Sequence, residues 1–181
     1  MGKLRSVIDD AAQRFIEAQH VFFVASAPLD ANGHVNLSPK GLDTFRILGP
    51  TTVAYLDFNG SGVETVAHLK ENGRIVLMFC AFQGPPDILR LYGQGRVVEG
   101  HESEFAILAE HFPLRENARS IIVVEVARVK DSCGYGVPLF RYEGERTQMQ
   151  AWARHHGPEG LKAYRDEKNR RSIDGLPGVT G

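Results

Sequence analysis

Val7, Ile8, Ala11, Ala12, Phe15 and Ile16 recur three and four positions apart, the spacing of one helix face. With Ser6 and Asp9 placed as a capping box, this predicts an amphipathic helix over 6–18. The run from Val21 to Ala27 is apolar and β-rich, which predicts a buried strand. Asp30-Ala31-Asn32-Gly33 then forms a reverse-turn signal, because Asn and Gly tolerate positive φ. It leads into a second strand over 34–40 and so predicts a hairpin. Further segments at 51–58, 74–82, 87–98 and 119–130 are rich in Val, Ile, Leu, Phe or Tyr and read as strands.

Helices interrupt these strands. Ser61 and Glu64 form a second capping-box pattern ahead of Val63, Val66 and Leu69, predicting a helix over 62–72. Phe105, Leu108, Ala109 and Phe112 make the stripe of another. Met149, Trp152 and Ala153 mark a helix closed by Gly157-Pro158, with a second short one after it. Residues 174–181 are Gly- and Pro-rich and read as an extended arm. The order predicts a mainly β or α+β chain: a small barrel with peripheral helices. The whole of 1–181 reads as one domain, with a barrel core over about 20–130 and C-terminal helices and arm over about 147–181.

Two strands carry polar residues at every second position. In the first, His34, Asn36, Ser38 and Lys40 alternate with Val35, Leu37 and Pro39. In the second, Arg90, Tyr92, Gln94 and Arg96 alternate with Leu89, Leu91, Gly93, Gly95 and Val97. A period of two puts each polar set on one face of its strand. Either strand alone reads as a solvated barrel face. Together they offer Lys40, Arg90 and Arg96 among hydrogen-bonding partners, which suits an anionic ligand lying against the sheet.

Asn59-Gly60-Ser61-Gly62 runs from a strand end into a helix start. Free N–H groups at such a start bind phosphate, and Ser61 and Thr65 add hydroxyls. Glu64 in the first turn works against an anion there. The segment is neither a GxGxxG dinucleotide fingerprint nor a P-loop. The seven histidines show no metal-ligand spacing. Cys133 lacks an evident base and reads as a small buried hydrophobe, and Trp152 as a packing or dimer residue.

Composition narrows the classes. The 181 residues are 43% hydrophobic and 24% charged, ordinary for a globular chain able to build its own core. A formal net charge of −1 argues against a partner held by phosphate attraction, so no nucleic acid is expected. Two cysteines, Cys80 and Cys133, make no disulfide framework. No apolar run is long enough to span a bilayer, and no signal-peptide apolar stretch leads the sequence. The expectation is a cytoplasmic, soluble protein.

Taken in order, these segments resemble the pyridoxamine-phosphate-oxidase-related FMN-binding family, over about Val21 to Val98. The resemblance rests on Val35-Asn36-Leu37-Ser38-Pro39-Lys40-Gly41 and Tyr55-Leu56-Asp57-Phe58-Asn59-Gly60-Ser61-Gly62. It continues through Ala67-His68-Leu69-Lys70-Glu71-Asn72-Gly73-Arg74 and Ile88-Leu89-Arg90-Leu91-Tyr92-Gly93. It implies a split β-barrel homodimer holding FMN in clefts between subunits. By position, Asn36, Ser38 and Lys40 would line the flavin or substrate side. Asn59, Ser61, Gly62 and Thr65 would lie near the ribityl phosphate, and Arg90 would supply charge. The C-terminal helices and the 174–181 arm would reach the partner subunit.

Two departures set this chain apart. Family members often carry Arg or Lys where Ser61-Gly62 stands, so its phosphate grip is built differently. The chain ends in Ser172-Ile173-Asp174-Gly175-Leu176-Pro177-Gly178 where true pyridoxamine-phosphate oxidases carry a C-terminal Arg-x-His substrate motif, so a different substrate is expected. The expected function is an FMN-dependent oxidoreductase acting on a small molecule, with no residue singled out as general acid or base. A deazaflavin-dependent reductase and a non-catalytic flavin- or haem-binding module are the alternatives.

Overall fold

The computed structural model describes residues 4–113 and 117–181. In chain order the elements begin with β1 (Leu4–Arg5), α1 (Asp10–Glu17), β2 (Phe22–Ser26), β3 (Asn36–Lys40) and β4 (Phe45–Ile47). Then follow β5 (Thr52–Phe58), α2 (Glu64–Asn72), β6 (Arg74–Cys80), β7 (Asp87–Glu99), α3 (Ser103–Ala109), β8 (Ala118–Cys133) and α4 (Gln148–Lys168).

The strands make one antiparallel sheet in the order β3-β2-β6-β7-β8-β5-β4, with β1 added beside β8. The sheet curls until its edges approach, and Lys40 on β3 reaches Asp57 on β5 at 3.1 Å. Inside the curl, Phe22, Tyr55, Leu77, Phe79, Leu91 and Ile122 are buried together. Their rings interlock: Phe22 stacks on Phe79 at 5.6 Å and meets Tyr55 edge-on at the same distance. Ile16 of α1 with Val66 and Leu69 of α2 extend this core. A second cluster on the other face puts Leu56, Val98 and Ile121 beneath Ala109 of α3 and Phe112 just beyond it. This is the α+β split barrel expected from the sequence.

Local chemistry moves several boundaries. Asp9, not Ser6, caps α1, its Oδ1 accepting the Ala12 N–H at 2.8 Å. The predicted Ser61–Glu64 box does not form: α2 opens after Val63 without a side-chain cap. The Asp30–Gly33 turn closes through Gly33 N–H to the Asp30 carbonyl at 3.0 Å, and neither Asn32 nor Gly33 adopts positive φ. The expected break at Gly157 is present (φ 63), dividing α4 in two. At Gly73, φ is 73, which ends α2 and turns the chain directly into β6. Gly93 sits at the bulge between β7 and β8, where a Cβ would collide with the Glu125 carbonyl oxygen.

The 174–181 arm docks on its own barrel. Val179 is buried in the interior core beside Val63, and Lys70 Nζ donates to the Gly178 carbonyl at 2.6 Å. The Glu99 carboxylate accepts the Thr180 and Gly181 backbone N–H groups at 2.7 and 3.0 Å. Its apolar residue needs a core, and its backbone donors find a buried acceptor there.

Candidate functional site

Where the curled edges meet, β3, the end of β5 and the start of α2 enclose a polar cleft of about 350 Å³. The alternation read along β3 turns its polar set toward this cleft: Asn36, Ser38 and Lys40 all line it. Asn36 Nδ2 donates to Thr65 Oγ1 at 2.8 Å, tying β3 to the first turn of α2. Asn59 and Gly62 complete that side.

A charged knot forms the floor. Asp57 is fully buried and accepts from Lys40 Nζ at 3.1 Å and from Arg119 Nε at 2.7 Å. Ser120 Oγ adds a third donor at 3.3 Å. Burial alone would push the Asp57 carboxyl up; the Arg119 and Lys40 cations outweigh it and hold the group below the usual carboxylate range. Two cations against one carboxylate leave this floor positive. Glu64, also in the lining, offsets that charge at the α2 end.

Above the polar cleft opens a larger one of about 1370 Å³, with Lys40, Asn59, Gly60 and Met149 lining both. Its walls come from the α1–β2 link, the β6–β7 hairpin, the 139–147 segment and α4. The shared turn is pinned from α4's end, as Asn169 Nδ2 donates to the Gly60 carbonyl at 2.8 Å.

Six of the eight residues named from the sequence thus come together: Asn36, Ser38, Lys40, Asn59, Gly62 and Thr65. Ser61 is exposed and does not line the cleft. Arg90 lies on the opposite face of the sheet. The register runs Pro39, Phe23, Met78, Arg90, and residues directly opposite share a face. Lys40 instead shares its row with the buried Phe22, Phe79 and Leu89. Within one chain the two polar strand faces therefore do not form a common groove. Arg90 donates to Ser132 Oγ at 2.9 Å, while Arg96 forms a two-pronged pair with Glu104 on α3.

Sequence reasoning missed the floor. Asp57 had a readable signal, being a lone carboxylate inside the otherwise apolar strand Thr52–Phe58. Arg119 heads the apolar run of β8 in the same way, but only the fold brings the two together.

The sequence of residues 8–133 matches the family model for pyridoxamine 5′-phosphate oxidase. The chain belongs to the pyridoxamine 5′-phosphate oxidase family. A member from Aspergillus flavus, the pyridoxamine 5′-phosphate oxidase family protein ustO, is 38% identical over 178 residues, covering 89% of this chain and 71% of that protein. Among solved structures, HupZ of Group A Streptococcus superposes with a TM-score of 0.53 at 20% identity, over 67% of this chain and 91% of that one. A protein of Clostridium acetobutylicum related to general stress protein 26, of the pyridoxinephosphate oxidase family, gives 0.51 at 15%, over 68% and 86%. An FMN-binding protein of Syntrophomonas wolfei gives 0.50 at 20%, over 72% and 86%. At such identities the likeness to these structures is one of fold.

Proposed function

We propose that this chain is an FMN-dependent oxidoreductase acting on a small molecule other than pyridoxamine 5′-phosphate, as a homodimer with the flavin at the subunit boundary. The observation that carries this reading is the polar cleft itself. Asn36, Ser38, Lys40, Asn59 and Thr65 set hydrogen-bonding groups along one wall, against the side-chain-uncapped start of α2. A helix start without a side-chain cap leaves N–H groups free for a phosphate. The carbonyl- and imide-edged ring of a flavin matches the amide and hydroxyl donors of β3. Family membership and the FMN-binding relative from Syntrophomonas wolfei support the same cofactor.

When bound, FMN supplies the hydride or electron transfer. The protein's part is to hold and tune it. Lys40 Nζ, anchored on Asp57, keeps a positive charge at the cleft wall, where it would stabilise negative charge developing on a bound ring. Thr65 and the Gly62 backbone would hold the phosphate, with Glu64 limiting how tightly. The chain ends in Ser172-Ile173-Asp174-Gly175-Leu176-Pro177-Gly178 rather than in an Arg-x-His motif, which supports a substrate other than pyridoxamine 5′-phosphate.

The dimer reading rests on β3. It is an edge strand, and the side facing away from the cleft exposes Val35 (74%) and Leu37 (63%). Apolar groups so placed call for a covering surface. A second copy laid there would also bring its outward Arg90 toward the neighbouring cleft, since Arg90 shares that face.

Purification under mild conditions followed by a visible spectrum tests the reading. A flavin band at about one FMN per chain supports it. A colourless protein that takes up no added FMN overturns it.

A further inference from the structure

We infer that the 1370 Å³ cleft beside the polar one is a substrate compartment for a planar aromatic molecule, with Trp152 as its stacking surface. The inference rests on the flavin reading for the reaction, though not for the binding. Three pairs of rings line the cleft, each drawn from different parts of the chain or from the two halves of α4 on either side of Gly157. His20 and Tyr142 lie face to face with centroids 3.6 Å apart and planes 8° from parallel. Phe82 and Phe140 pack at 5.4 Å, held by a Phe140 N–H to Phe82 carbonyl bond of 2.9 Å. Trp152 meets Tyr164 edge-on at 5.0 Å and rests on His156 at 4.4 Å.

These contacts fix ring orientations before a ligand arrives. Pre-organised aromatic walls favour flat rings through stacking worth about 0.5–1.5 kcal/mol per pair beyond area burial. The rim is balanced, Arg141 and Arg146 standing against Glu143 and Glu145, so it selects neither an anion nor a cation. Size also fits two occupants. One-ligand pockets run to about 300–1,000 Å³, and this cleft exceeds that range while sharing Lys40, Asn59 and Gly60 with the polar cleft. An aromatic guest here would lie beside whatever the polar cleft holds.

Most of the aromatic lining comes from the C-terminal third of the chain. Phe140, Tyr142, Trp152 and Tyr164 all fall after the family match, which ends at residue 133.

Trp152 is the chain's single tryptophan, so its fluorescence reports on this cleft directly. The test titrates naphthalene-2-carboxamide and cyclohexanecarboxamide, alike in their polar group, into protein with and without added FMN. Calorimetry is recorded alongside fluorescence. The aromatic amide is expected to bind at least about tenfold more tightly, a difference of about 1.4 kcal/mol. Trp152→Ala and, separately, Phe140→Ala should each cost most of that preference, while FMN affinity measured by flavin fluorescence stays within about twofold. Phe140 is 60% exposed, so its variant keeps the test valid should Trp152→Ala fail to fold. Equal affinity for the two amides, binding of neither (as when a second copy's segment fills the cleft), or unchanged affinity in the Phe140 variant overturns the inference. Should FMN fail to bind while the aromatic amide still does, the flavin reading falls and the compartment stands.

Discussion

Lys40 and Asp57 meet at 3.1 Å although their strands are never hydrogen-bonded neighbours; from β3 the sheet runs through β2, β6, β7 and β8 before reaching β5. Their contact joins the two ends of a curled sheet and at the same time makes the floor of the polar cleft. Arg119 completes the knot from β8, with its side chain only 4% exposed. One buried carboxylate thus pairs with two cations from two separate strands and leaves the knot with a net positive charge.

Asp57→Asn should therefore cost more than an ordinary surface change. It leaves Arg119 buried without a counter-charge, a situation worth about 3–5 kcal/mol when one partner of a buried pair is removed. Chemical denaturation at neutral pH measures this. A loss below about 1 kcal/mol would mean that the knot is solvated and adds little.

The pH dependence has two windows. His68 is completely buried, with Nδ1 2.9 Å from Ser26 Oγ, and burial pushes its pKa below the ordinary value of 6.5. As pH falls through 6.5 the unfolded chain takes up a proton that the folded chain refuses, so stability declines there. Asp57 is also held low, so its contribution is complete above the ordinary carboxylate value of 3.8 and drains away only below it. Urea midpoints at pH 7.5 and 5.5 should drop in the wild type and drop much less in His68→Gln. An unchanged drop in that variant would assign the decline to other groups.

The barrel was legible because its strands are buried on at least one face and so leave period-two or continuous apolar runs. Val21–Ala27 and Thr52–Phe58 are the clearest cases. β4 (Phe45–Ile47) was not legible, since three residues are too few to show a period. Six cleft residues followed from local pattern and resemblance. Arg119 and the His20–Tyr142 stack of the larger cleft did not, because each meets its partner across 60 or more positions of sequence: Asp57 with Arg119, and His20 with Tyr142. The one inversion is instructive. β3 alternates as expected, yet its polar side faces in and its apolar side faces out, the reverse of a strand on a lone soluble barrel.

That inversion gives a sharp expectation for assembly. Leu37→Glu puts a charge in the exposed apolar strip without touching the core. Wild-type protein should elute at twice the chain mass in light-scattering chromatography, and the variant at the chain mass. FMN affinity should fall with the dimer, because the cofactor is proposed to sit at the boundary between copies. A wild-type protein that is monomeric at micromolar concentration would remove the covering partner from the proposal.

Arg90 and Arg96 separate the family reading from simple charge counting. Arg96 is already engaged by both oxygens of Glu104 beside α3, so its cation is not available to a ligand. Among the described residues Arg90 donates to the neutral Ser132 hydroxyl alone, and it stands on the face shared with Pro39 at the proposed subunit boundary. A guanidinium facing an anionic cofactor contributes about 1.5–3 kcal/mol through a charge-assisted hydrogen bond. Arg90→Ala should therefore weaken FMN binding by at least about tenfold. Arg96→Ala should change it by less than about twofold, since it removes an exposed ion pair remote from the cleft. Flavin-fluorescence titration of the two variants side by side decides it. Equal affinities would show that Arg90 does not reach the cofactor from either copy.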